Sequence, residues 1–246
     1  KKKKKLIVFE KNKKIKKSLK NKKILIIDKL KDVKWQRIEY VMICVKPIDS
    51  ISLLNQLRKN ISANCTVISF VAGLKIQKIK SLLIENINVI RFMPNILVEV
   101  EESATGIFSD VINHKLKKKI IEDFSFFGFL KWLRREEEMD FFTSLYGGGP
   151  AYIFYFLLCL IRVSEKNGLD SEVSRKLVIT LLNGASKLIN KENEDFYSIV
   201  KRVTSKGGTT EQAINFFEDN KKLFKIINEG IIRAENKSVE ISKKLD

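Results

Sequence analysis

Residues 204 to 210 read Thr-Ser-Lys-Gly-Gly-Thr-Thr, crowding hydroxyls and two glycines between two strongly helical stretches. One capping residue is enough to start a helix, and Thr209 with Gln212 three places on predicts a capping box that satisfies the first free N–H groups. Gly207 and Gly208 then lie at the mouth of that helix, where unpaired amides and the positive end of the dipole favour a small anion, and where the lack of side chains lets it approach the backbone. With Thr209 used as the cap, the hydroxyl of Thr210 is left to face a ligand. These types at this spacing suit a carboxylate-gripping loop; a plain Gly-Gly turn between helices is the other reading.

Little else in the chain offers reactive side chains. The single histidine, His114, falls in a Lys-rich helical stretch, and Cys44, Cys65 and Cys159 lie in unrelated apolar contexts with no CxxC, so neither a disulfide scaffold nor a metal site is expected. The 246 residues, 44% hydrophobic and 31% charged, suffice for one large or two modest domains with a full core. The net charge of +18 is concentrated in lysines between Lys1 and Lys31, without interleaved aromatics or an RNA-recognition motif. It reads as a compositionally biased, solvated surface, and no specific nucleic-acid partner is expected. The longest apolar run, Ala151 to Ile161, stops at Arg162, short of the ~20 residues that cross a bilayer. It is expected to be a buried helix, with no membrane partner. The poly-lysine start followed by "LIVFE" lacks the apolar core and cleavage site of a secretory signal, and a cytoplasmic location is expected.

The elements that must carry the loop fall into two regions. Up to about residue 135, short β-branched runs ("LIVF", "ILII", "YVMICV", "TVISFV", "NVIRFM") alternate with polar helical stretches, the pattern of parallel βαβ units. "ATGIF" and "FLKWL" follow, with a helical stretch around His114 to Phe124 between them. From Glu136 the period changes: Val173, Leu177, Leu181, Ala185 and Leu188 recur at steps of three and four on one helix face. Gly168 followed by Asp170 marks the end of one helix and the cap of the next. The expected architecture is an α/β dinucleotide-binding domain over 1–135 and an all-α domain over 136–246.

Four stretches, taken in order, resemble the pyrroline-5-carboxylate reductases, which make proline by reducing a cyclic imine. They are "CVKP" at Cys44 to Pro47, "VIRFMPN" at Val89 to Asn95 followed by "SATGIF", "GGGPAY" at Gly147 to Tyr152, and "VTSKGGTT" at Val203 to Thr210. The resemblance implies a Rossmann-like domain joined to a helical domain that interlocks with its twin, giving a homodimer or a larger assembly of dimers. It places Cys44, Val45, Lys46, Pro47, Ala72 and Asn95 beside NADPH or NADH, with Met93 and Pro94 in the turn that closes over the nicotinamide. Such loops at the carboxyl ends of parallel strands are where these folds bind cofactors. It places Glu136 near the bound substrate, with Glu137 and Glu138 offering competing registers. It assigns Ser205, Gly207, Gly208, Thr209 and Thr210 to the substrate carboxylate, Thr210 being the catalytic candidate that delivers a proton to the ring nitrogen. No metal is implied.

The sequence also departs from that family. The family opens with a strand and a glycine-rich turn that receives the pyrophosphate, whereas Lys1 to Cys44 contains no glycine. "LIVFE" sits at the distance of the family's second strand, so a βα unit of roughly thirty residues is expected ahead of Lys1, or else the unit is decayed. Without it, two inward strand edges are expected to lack a neighbour. Lys206 stands where the family has proline, Tyr146 and Gly148 where it has serines, and Lys31 where it has an asparagine near the ribose. Lys11, after the first strand, is placed to pair with a 2′-phosphate and favour NADP. Two further functions are weighed against the reductase: a relative that dimerises and binds ligand without productive cofactor binding, and a basic surface binder resting on charge alone.

Overall fold

The computed structural model describes residues 5–19, 24–110, 113–191 and 194–245; the first four lysines of the poly-lysine run lie outside them. By its internal contacts the chain divides into a first unit, Lys1–Thr143 with Ser238–Asp246, and a second, Ser144–Lys237.

The first unit alternates strand and helix as its β-branched runs predict. Its strands are β1 (Ile7–Phe9), β2 (Leu25–Ile27), β3 (Tyr40–Ile43), β4 (Thr66–Ser69), β5 (Asn88–Met93), β6 (Ser103–Phe108) and β7 (Gly128–Trp132). Its helices are α1 (Lys13–Leu19), α2 (Pro47–Arg58), α3 (Ile76–Leu82), α4 (His114–Phe124) and the short α5 (Glu138–Phe142). Strands β3 to β7 form one sheet in chain order, parallel across β3–β4–β5, antiparallel at β5–β6 and parallel again at β6–β7. Strands β1 and β2 pair only with each other, in parallel. Among the described residues β1 and β3 are thus each paired on one side, the arrangement expected of the two inward edges.

Alternation along the central strands builds two cores. Val67 and Val89 point to the layer filled by α2 and α3, with Leu54, Ile76 and Ile79, while Ile68, Ile90 and Phe92 point to the layer filled by α4, with Ile120 and Phe124. Phe92 meets Phe124 and Phe70 at 5.2 and 5.6 Å between ring centroids. Because β4 is covered on both faces, all four of its residues are buried, Thr66 and Ser69 included.

The second unit is helical: α6 (Gly149–Lys166), α7 (Ser171–Lys191), α8 (Phe196–Arg202), α9 (Thr209–Glu218) and the first part of α10 (Lys222–Leu245), whose end belongs to the first unit. A π-helical turn, Thr143–Gly147, precedes α6. At its end the Tyr152 hydroxyl donates to the Ser144 carbonyl at 2.9 Å. Gly148 leaves room for this, since a Cβ there would sit 2.5 Å from the hydroxyl. Helix α6 ends at Gly168, whose φ of 90° needs glycine, and Asp170 Oδ1 accepts from Glu172 and Val173 N–H at 2.8 and 3.2 Å to cap α7.

One expectation is overturned. The apolar run from Ala151 is not a buried helix: of α6 only Pro150 is buried, and Phe154, Tyr155 and Phe156 are exposed. The stripe on α7 is open as well, Leu181 at 65%. Apolar periodicity shows that a face seeks cover, not that its own chain supplies it. The continuous stretch Glu138–Lys166 is among the described residues the one helix long and apolar enough to cross a membrane, by length and composition only.

Candidate active site

In the first unit, three loops leave the same end of the sheet. Registers pairing Ile43 with Ser69 and Ser69 with Arg91 set the carboxyl ends of β3, β4 and β5 side by side. Cys44, Val45 and Lys46 therefore follow β3, Phe70 to Gly73 follow β4, and Pro94 and Asn95 follow β5. Five predicted residues, from Cys44 to Lys46, Ala72 and Asn95, are gathered at one rim, with Pro47 opening α2. Lys46 is exposed in extended conformation, so the first amides of α2 face the rim beside a cation.

Asn95 is fixed by its neighbours. Its N–H donates to Ser103 Oγ at 3.0 Å, its Oδ1 accepts from Leu97 N–H at 2.9 Å, and buried Ser103 in turn hydrogen-bonds Thr105 at 3.0 Å. That gives the "SATG" stretch a physical purpose: its serine ties down the loop after β5, and Gly106 makes room for the Phe142 ring, which a Cβ would meet at 2.7 Å. Lys11 stands apart, after β1 on the two-stranded sheet, with its ammonium 6.0 Å from the Phe9 ring centre.

Of the three successive glutamates, Glu136 is the one turned inward. Its Oε1 accepts from Arg91 Nη1 and from Ile76 N–H, each at 2.8 Å, and Arg91 is buried at 5%. Arg91 lies on the α3 side of β5 because it alternates with Ile90 and Phe92, which face α4. Glu138 instead accepts from the Arg134 N–H at 3.0 Å, which, with Arg135 close by, holds its carboxyl below the usual range.

The loop expected to grip a carboxylate lies wholly in the second unit and is largely open to solvent. Thr209 is not the cap: Gly208 holds that position with extended backbone, and Thr209 and Thr210 are the first two helical residues. The expected box with Gln212 is therefore not made; instead Glu211 Oε2 accepts from the N–H of Gly207, one residue ahead of the cap, at 2.8 Å. A glycine N-cap has no side chain to accept from a helix N–H, so the acid at the third helical position reaches back alone. Gly207, at φ 74°, bends the chain into the helix mouth, and both threonine hydroxyls are without a hydrogen bond among the described residues. Ser205 accepts the Gly208 N–H through its carbonyl at 3.0 Å.

A second cluster of titratable groups serves structure. Tyr40 donates to Asp123 Oδ2 at 2.7 Å, and Lys119 bridges Asp123 and Glu39. Burial, reinforced by Asp123, pushes the Tyr40 hydroxyl well above its ordinary value, so it stays neutral. No group of three or more His, Cys, Asp or Glu that could hold a metal occurs among the described residues.

Residues 136–241 match the family model for pyrroline-5-carboxylate reductase dimerisation. The chain is 30% identical over 209 residues to a pyrroline-5-carboxylate reductase of Staphylococcus epidermidis, a match covering 85% of this chain and 76% of that protein. The chain belongs to the pyrroline-5-carboxylate reductase family. Solved reductases share the fold: that of Coxiella burnetii superposes with a TM-score of 0.85 at 25% identity over 96% of this chain and 88% of its own. The Plasmodium falciparum enzyme, solved with NADP bound, gives 0.81 at 25% identity over 96% of this chain and 87% of its own. The family's Rossmann-type domain and helical dimerisation domain are both present. What sequence reasoning missed is the support beneath the site: Arg91, Ser103 and Glu211. A charged residue inside the apolar run "NVIRFM" was the available signal for Arg91.

Proposed function

We propose that the chain reduces 1-pyrroline-5-carboxylate to L-proline with NADPH or NADH as the electron source. The observation that carries this is the glycine mouth of α9, a helix start with two uncommitted threonine hydroxyls that suits a small carboxylate. Family membership supplies the reaction, and the NADP held by the Plasmodium falciparum relative supports the cofactor class.

The residues at the rim of β3, β4 and β5 suit the nicotinamide end of such a cofactor. Lys46 and the amides of α2 would meet an anionic group, while Val45, Ala72 and Asn95 would line the ring and its ribose. No glycine occurs ahead of Gly73, so the described residues contain no glycine-rich pyrophosphate turn. Reduced nicotinamide supplies a hydride when bound. The chain's own share is to orient and to balance charge. Backbone N–H groups of Thr209 and Thr210 hold the substrate carboxylate, each charge-assisted bond contributing about 1.5–3 kcal/mol. The Thr210 hydroxyl donates a proton at the ring nitrogen as the imine carbon accepts hydride, and solvent restores the hydroxyl. Glu136 serves the substrate side through Arg91 and the start of α3. The exposed faces of α6 and α7 are covered by a second copy in a homodimer or larger assembly, and the protein works in the cytoplasm. Lys11 would pair with a 2′-phosphate and so favour NADP.

Purified chain given NADPH and 1-pyrroline-5-carboxylate tests the reading. Stoichiometric L-proline supports it; nucleotide binding without any proline formed would favour the non-productive relative instead.

A further inference from the structure

Gly73 follows Ala72 in the turn between β4 and α3, and its surroundings come from the far end of the chain. It adopts φ 75°, and a Cβ there would lie 2.9 Å from the Ser242 backbone nitrogen and 3.1 Å from Ile241 Cγ2. The closing turns of α10 therefore rest backbone-to-backbone on this turn, a contact that glycine alone allows.

That helix end is itself fastened. Ser238 Oγ donates to Asp140 Oδ1 at 2.6 Å and Ser242 Oγ to the same oxygen at 3.2 Å. The two serines, four residues apart on one face, are both buried, and Leu245 beyond them packs on the α2–α3 core. From the other side the turn runs into α3, whose Ile76 N–H is held by Glu136. Ser69 Oγ accepts the Val71 N–H at 3.3 Å within it.

We infer that Ser238–Leu245 and Asp140 are positioning residues for the nucleotide site: the end of the last helix clamps the Val71–Gly73 turn in the shape that presents Ala72 to the cofactor. This rests on the reading of Ala72 as a cofactor neighbour. A clamped turn loses less freedom when the nucleotide binds, so the clamp acts on nucleotide affinity and leaves the chemical step alone.

The test compares Asp140→Ala, which removes the shared acceptor, with Asp140→Asn, which keeps an oxygen there, in the full chain. With Asp140→Ala the KM for NADPH rises about tenfold while kcat at saturating NADPH and the KM for the imine hold. Hydrogen exchange of the amides from Ala72 to Ile76 accelerates in step, and Asp140→Asn restores both. Gly73→Ala, which drives a methyl into the Ser242 backbone, gives the same pair of changes by a second route. Unchanged exchange at Ala72–Ile76 in folded Asp140→Ala overturns the clamp, as does equal loss in every kinetic constant. Should the parent chain show no turnover, the reductase reading fails by itself, and the exchange comparison still decides the clamp.

Discussion

In the first unit Val67, Ile68, Ile90 and Ile107 are fully enclosed by helices of the same unit, while in the second Phe154, Tyr155 and Leu181 lie largely open. Both regions carry apolar residues in regular array, on strands and helices in the first and on helices alone in the second; what differs is who covers them. A sheet clothed on both faces closes its own core, whereas α6 and α7 pair with each other and leave a broad apolar surface beyond what a monomer ordinarily exposes. The residues so exposed fall within the 136–241 span of the dimerisation family model. One region is finished by its own sequence; in the assembly proposed above, the other is finished by a second copy.

The contrast is broken most directly by placing charge on that open face. Phe154→Asp with Leu181→Asp, two substitutions of hot-spot kind, weakens self-association by about 4 kcal/mol, roughly a thousandfold. Sedimentation reads the loss, and first-unit stability should not move. The reverse experiment strikes the first unit. Glu136→Ala leaves buried Arg91 without its carboxylate and removes the acceptor of the Ile76 N–H, lowering stability by about 3 kcal/mol in denaturant titration while self-association persists. Equal damage to both properties by either change would erase the distinction.

Finer changes sharpen it. Thr210→Ala deletes a hydroxyl that supports no fold contact, so turnover falls by about a hundredfold and the unfolding midpoint stays put. Turnover equal to that of the parent would remove the proton-donor role. The smallest effect is expected at the π turn: in Gly148→Ala the Tyr152 hydroxyl is displaced from the Ser144 carbonyl, costing about 1 kcal/mol in thermal unfolding.

Much of this was legible in the residues. Short β-branched runs located each strand of the first unit, and Gly168 with Asp170 marked the junction of α6 and α7. Stretches such as "CVKP" and "TSKGGTT" also identified the family, because they are backbone motifs whose conformation is set locally by glycine, proline and short hydroxyl side chains. Local sequence spoke less clearly on partners chosen by tertiary approach. Thr209 with Gln212 fits a capping box by spacing alone, and only the fold makes Gly208 the cap, with Gly207 at φ 74° turning the chain into the helix. The pairing of Arg91 with Glu136, and of Asp140 with Ser238 98 residues away, leaves no periodic trace. Burial of α6 was misjudged for a related reason: hydropathy carries no address for the surface it seeks.

Sedimentation of the unaltered chain across micromolar concentrations tests the central contrast most directly. The account predicts a dimer or larger assembly of dimers at every concentration where the helices remain folded. A folded, stable monomer, with α6 and α7 still facing water, would contradict it.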